Sequence, residues 1–62
     1  MQITLKAARI NAGILQKDAA DMVKVPVSTL CRWENDSRKI PTRPFLELCR
    51  IYEVDPYAIF LP

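Results

Sequence analysis

In the stretch VPVSTLCRWEN, residues 25–35, three hydrogen-bonding side chains stand at i, i+4 and i+7: Ser28, Arg32 and Asn35. On a helix they form one stripe, flanked by Thr29 and Cys31. A hydroxyl donates and accepts, a guanidinium offers a planar fork of donors, and a carboxamide does both. No nucleophile–base pair is among them. Their chemistry is hydrogen bonding by short side chains, which suits entry into a major groove where base edges present donors and acceptors. An ordinary solvated helix face has the same periodicity, so the pattern alone leaves both readings open.

The other side of the same helix carries Leu30, Trp33 and Glu34, with Val27 at the margin. Sixty-two residues make one domain, 1–62, and a chain of this size buries only about 60% of its unfolded surface. Trp33, the one tryptophan, is therefore expected in the core. Glu34 beside it needs a partner if it is drawn inward too.

Composition excludes several classes. There is no His, and Cys31 and Cys49 cannot build a zinc site alone. The two cysteines are expected to be reduced, without a disulfide, as in a cytoplasmic chain. The single glycine rules out a phosphate-cradling glycine loop. Neither an enzyme, a metal nor a cofactor is expected. No apolar run approaches the roughly 18–20 residues of a membrane span. The net charge of +2 is modest, but it is unevenly spread. Lys6, Arg9, Lys17, Lys24, Arg32, Arg38, Lys39 and Arg43 outnumber the acids of the front part. Behind them Arg50 faces Glu47, Glu53 and Asp55. A basic front suits a polyanion bound on one side, and equally suits ordinary solubility.

The elements that must position these residues read as five helices, an all-α chain. Thr4 is an N-cap for a helix from Leu5 to about Ala12, with Leu5, Ala8, Arg9 and Ala12 on one face and Gly13 ending it. A second helix is predicted from Gln16 to about Val23, with Ala19, Ala20 and Val23 as a small-residue face. The third starts near Pro26 or Val27 and ends near Asn35. Residues 35–44 read as a loop stiffened by Pro41 and Pro44. A fourth helix is predicted from about Pro44 to Tyr52, with Phe45, Leu48, Cys49 and Tyr52 inward. Asp55 then caps a fifth, with Pro56 at its first position and YAIFLP completing it. Phe60 is expected to close the core, and Tyr57 and Leu61 either join it or form a small apolar patch.

A short helix, a tight turn KVP and a further helix make the layout of a helix-turn-helix. QKDAADMVKVPVSTLCRWEN, 16–35, resembles the helix-turn-helix segment of the Cro/C1-type (XRE-like) phage repressor family. Gln16 opens the second helix, Ala20 is the small crossing residue, and Val25 follows the turn. Thr29-Leu30 and Arg32-Trp33-Glu34-Asn35 fall where the family carries Thr-Ile and Arg/Lys-Trp-Glu-Asn. LKAARINAG, 5–13, and FLELCRIYEVDPYAIF, 45–60, extend the likeness over nearly the whole chain.

The resemblance implies a compact five-helix lambda-repressor-like domain with the helix-turn-helix at helices 2 and 3. It implies a regulator of transcription, of phage or prophage kind, that binds double-stranded DNA at pseudo-palindromic operators. Half-sites about 34 Å apart would be filled by a weak homodimer, formed mainly on the DNA. It implies an ion pair between Arg9 and Glu34 beneath the third helix, answering the question about Glu34. Phosphate contacts then fall to Gln16 with the N–H groups opening the second helix, to Asn35, Arg38 and Lys39, and to Arg43, which could reach phosphate or the minor groove. Base contacts fall to Val27, Ser28, Cys31 and Arg32, the last a candidate for bidentate contact to guanine or, as the alternative, for a phosphate.

The chain departs from the family where Lys24, Asp36 and Glu53 stand in place of common glycines. All three positions are expected to need a positive φ. Leu15 leaves the second helix without a side-chain cap, and Pro26 replaces the usual Ser or Thr cap of the third. A second function class stays open: such a segment can also grip a partner protein, as in an antitoxin or a regulator's partner.

Overall fold

The computed structural model describes residues 3–59; Phe60 and Leu61 lie outside the described residues. Four α-helices follow one another: α1 Leu5–Asn11, α2 Gln16–Met22, α3 Val27–Asn35 and α4 Thr42–Ile51. Two 3₁₀ turns, Ser37–Lys39 and Pro56–Ala58, complete the order. Among the described residues the only β-type pairing is an isolated bridge between Ile3 and Ile59, with Ile3 N–H donating to Ala58 O at 2.9 Å.

Each helix end has a local cause. At the start of α1 the Thr4 hydroxyl accepts from Ala7 N–H at 3.0 Å, satisfying one of the first-turn donors that have no partner within the helix. At its end Gly13, at φ 73°, turns the chain so that Gly13 N–H reaches Ile10 O and Ile14 N–H reaches Arg9 O. This is a Schellman ending. α2 ends in the same way through Lys24 at φ 60°, with Lys24 N–H on Asp21 O and Val25 N–H on Ala20 O. α4 repeats it through Glu53 at φ 55°, with Glu53 N–H on Arg50 O and Val54 N–H on Cys49 O. Ile14, Val25 and Val54, the residues after the three left-handed positions, all pack against the core.

The third expected left-handed position is corrected by the structure. Asp36 has φ −142° and ψ 85°. There is no Schellman ending here, because the Ser37 hydroxyl donates to Trp33 O at 3.0 Å and the chain runs on into a 3₁₀ turn. A carbonyl satisfied by a side chain needs no left-handed residue to bring an amide to it.

Two boundaries also move. The fourth helix begins at Thr42, so Pro44 stands third within it and the preceding loop is shorter than expected. Proline is tolerated throughout a first helical turn, where N–H groups lack partners in any case. The expected fifth helix is only a 3₁₀ turn among the described residues. Its start is as read, with Asp55 Oδ1 accepting from Tyr57 N–H at 2.9 Å and Pro56 at the first position. Ile59 then takes extended φ −87°, ψ 127° to pair with Ile3, which stops the helix after one turn.

Leu5, Ala19, Ala20, Leu30 and Leu48 have no exposure at all, and Trp33, Cys49 and Tyr52 lie buried against them. The paired alanines let α3 approach α2 closely. Full burial of a leucine such as Leu30 contributes about 1.5–3 kcal/mol; Leu30→Ala would cost about 2–5 kcal/mol with the cavity included. Tyr57 is 90% exposed and so takes no part in the core. Cys31 and Cys49 are free thiols, one exposed and one buried.

Candidate nucleic-acid interface

The helix-turn-helix pair fixes what α3 presents. On its inner side Leu30 is fully buried and Trp33 only 8% exposed. On its outer side Val27 is 43% exposed, and Ser28, Cys31, Arg32 and Asn35 are exposed with it. The described chain leaves this stripe open to solvent from the first turn of α3 to its last. Pro26, at φ −63° and ψ 149°, occupies the N-cap of α3 and offers no side-chain cap; Leu15 offers none to α2.

Within the stripe one contact is made: Asn35 Nδ2 approaches Cys31 Sγ at 3.8 Å, a weak sulfur-accepted bond one helical turn apart. Directly after α3, the turn Ser37–Lys39 carries Arg38 and Lys39, both exposed. Arg38 Nε donates to Asp36 Oδ1 at 3.3 Å, but its side chain is still 70% exposed, so its terminal nitrogens remain open to another acceptor. Arg43 is exposed as well. It stands in the first turn of α4, not in a loop, beside a shallow hollow shared with Thr42, Leu46, Glu47 and Arg50.

Beneath α3 lies a buried polar cluster. Arg9 Nε donates to Glu34 Oε2 at 2.8 Å and Arg9 Nη2 to Glu34 Oε1 at 3.5 Å. Arg9 Nη1 donates to Ile14 O at 2.9 Å. Gln16 Nε2 donates to Glu34 Oε1 at 3.0 Å. The Glu34 side chain is 2% exposed and that of Arg9 10%. One carboxylate on α3 therefore gathers donors from α1 and α2, and the arginine ties in the α1–α2 connection as well. Such charge-assisted bonds are roughly twice as strong as neutral ones.

Tyr52, the C-cap residue of α4, reaches the same region. Its hydroxyl is buried and finds no hydrogen-bond partner among the described residues. Burial, and after it the negative charge of Glu34, push the phenol up to about 12; Arg9 opposes the rise, and Cys49 adds to it. Burial, with the nearby charge of Asp55, also raises the Cys49 thiol above its ordinary value.

The Gln16–Glu34 bond and the nearness of Tyr52 to Glu34 had no signal in the sequence pattern. Gln16 opens a helix and Tyr52 sits on an inward face, and both facts are legible. Their common neighbour is legible only once the helices are packed.

Among the described residues no helix is long and apolar enough to cross a membrane, and no group of three or more His, Cys, Asp or Glu could hold a metal ion. No curated protein and no solved structure matches the chain. The family model of the helix-turn-helix domain matches residues 5–59, nearly the whole sequence. Domains of this type are generally non-enzymatic. With α2, the tight turn, α3 and the supporting helices inside the matched span, the chain belongs to the Cro/C1-type helix-turn-helix family of DNA-binding domains.

Proposed function

We propose that this chain is a sequence-specific, double-stranded-DNA-binding regulator of transcription, of repressor or Cro-like kind, with α3 lying in the major groove. The observation that carries this reading is the division of α3 into two faces: Trp33 and Leu30 buried, Val27, Ser28, Cys31 and Arg32 open. Val27 packs on a thymine methyl, Ser28 and Cys31 make short contacts, and Arg32 forks onto a guanine edge. Gln16, Asn35, Arg38, Lys39 and Arg43 hold phosphates, which position the domain without reading sequence. Such a protein works in the cytoplasm, in the same compartment as its DNA.

Two copies occupy a pseudo-palindromic operator. Half-sites on one face of the duplex are about 34 Å apart, and the domain measures 29 × 23 × 18 Å between its outermost Cα positions. Copies seated with the longest of these axes along the duplex would bring their side chains within reach of each other. That supports a weak homodimer assembled on the DNA.

Selecting bound sites from a random duplex library, then measuring affinity against salt, tests the reading. The expected result is an enriched inverted repeat and a steep fall of log affinity with log salt, about 0.9 for each neutralised phosphate. Absence of any enriched duplex, or an affinity flat in salt, would overturn it in favour of a domain that grips a partner protein.

A further inference from the structure

Resting on the DNA-binding reading, we infer that Glu34 is a positioning residue for Gln16, so that the phosphate contact on α2 and the reading helix α3 are held in one register. Gln16 is the first residue of α2 and is half-buried. Its carboxamide can face a neighbour with either end, and the two ends do opposite things: the NH₂ group donates and the oxygen accepts. The Glu34 carboxylate decides between them. A carboxylate paired with an arginine accepts and does not donate, so it takes Gln16 Nε2 at 3.0 Å and would repel Gln16 Oε1. With one N–H committed to Glu34, the direction of the second N–H is set by the amide plane. A free glutamine would have to give up both its flip and its rotamer freedom to hold a phosphate oxygen; here much of that ordering is done in the folded domain.

The carboxylate is itself firmly placed. Arg9 grips it through Nε at 2.8 Å, and Arg9 Nη1 is anchored on Ile14 O at 2.9 Å, two residues before Gln16. With the Glu34 side chain 2% exposed, water cannot take over these bonds. The geometry thus runs from α1 through Arg9 to Glu34 on α3 and back to Gln16 on α2. A tilt of α3 that moved Glu34 would carry the Gln16 amide with it.

The test places neutral methylphosphonates one at a time along a duplex selected by the wild-type protein. It compares wild type, Gln16→Ala and Glu34→Gln, all assayed where circular dichroism shows them folded. One phosphate position is expected at which the neutral group weakens wild type about tenfold, the worth of one hydrogen bond to a charged partner. Gln16→Ala and Glu34→Gln should both have lost sensitivity at that same position, while sensitivity at other phosphates and the base preferences persist. A merely structural role for Glu34 would lower affinity alike at every phosphate. If Glu34→Gln does not fold, the paired replacement Arg9→Met with Glu34→Met leaves no uncompensated charge and carries the same expectation. Retained sensitivity in the Glu34 variant at the phosphate lost in Gln16→Ala would overturn the inference while leaving DNA binding intact. A wild type that selects no duplex would overturn the DNA reading and this inference with it.

Discussion

Arg9 and Glu34 are 25 residues apart in the chain, and their side chains meet at 2.8 Å with almost no access to water. A buried pair of this kind contributes little net stability, because desolvation offsets most of the attraction. Removing one member is a different matter. Arg9→Ala leaves a nearly inaccessible carboxylate with only the neutral amide of Gln16, and strips Ile14 O of its donor. The expected loss is about 3–5 kcal/mol, much of the stability of a domain this small. Denaturant unfolding followed by circular dichroism measures it; wild-type stability in Arg9→Ala would refute a structural role for the pair.

The left-handed residues give the opposite sign. Lys24 at φ 60° carries a side chain in a conformation that costs a non-glycine residue about 1–2 kcal/mol. Lys24→Gly removes that strain and adds back part of it as chain entropy in the unfolded state. A net gain of up to about 1 kcal/mol is expected, or about 4–8 °C in melting temperature for a domain of this size. Glu53→Gly, at φ 55°, should add a similar gain. Asp36→Gly should not, since φ there is −142° and the Asp36 carboxylate receives Arg38. Calorimetry of the three variants separates strained positions from the unstrained one.

The same residues mark where the sequence could be read and where it could not. The two faces of α3 are plain in the spacing of Leu30 and Trp33 against Ser28, Arg32 and Asn35, because helical periodicity sorts side chains before any packing is known. The Arg9–Glu34 pairing and the left-handed turns at Lys24 and Glu53 come from likeness to a family and not from periodicity. Asp36 misleads because its neighbour Ser37 satisfies the Trp33 carbonyl, a side-chain solution that glycine statistics do not register. Pro44 misleads about the start of α4, since several positions of a first turn suit proline equally. The one-turn length of the last element depends on Ile59 meeting Ile3, a pairing between opposite ends of the described chain. Gln16 donating to Glu34 across 18 residues belongs to the same class of tertiary facts.

Tyr52 carries a buried hydroxyl with no described partner, beside the Glu34 charge. Tyr52→Phe deletes an unsatisfied polar group and keeps the ring. It should leave stability unchanged or raise it by about 1 kcal/mol at neutral pH. The alkaline limb gives a second readout. The folded-state phenol titrates at about 12 against an ordinary 10, so folding favours its protonated form. That contribution is complete below pH 10 and is lost as pH rises from 10 through 12. It amounts to about 2–3 kcal/mol for a two-unit shift. Chemical denaturation across this range should show a shallower decline in Tyr52→Phe. The decline that remains includes the share of Cys49, whose raised thiol acts in the same direction from lower pH.

The two thiols should react as two populations. Cys31 lies on the open face of α3, whereas Cys49 is buried and its thiol is pushed up by burial and Asp55. A thiolate-selective disulfide reagent at neutral pH is expected to label one cysteine per folded chain quickly and the second only on unfolding. Cys31→Ser should abolish the fast phase. Bound operator DNA should slow it severalfold in the wild type, because Cys31 is then covered. A fast phase indifferent to saturating operator would place the DNA elsewhere than on this face.

Arg32 and Lys39 stand close in sequence and are both exposed, yet their expected roles differ in kind. Arg32 lies in the stripe of α3, where a guanidinium can fork onto a guanine edge. Arg32→Ala should relax preference at one base pair, by about 1–3 kcal/mol of discrimination. Lys39 sits past the end of α3, in the 3₁₀ turn, where a flexible ammonium acts as a point charge toward phosphate. Lys39→Ala should weaken every sequence alike and lessen the salt slope by about 1. Binding of each variant to the selected site and its single-base changes, at several salt concentrations, distinguishes the two effects. Losses from both variants that ignore sequence would mean that Arg32 holds phosphate as well, leaving Val27, Ser28 and Cys31 to read the bases alone.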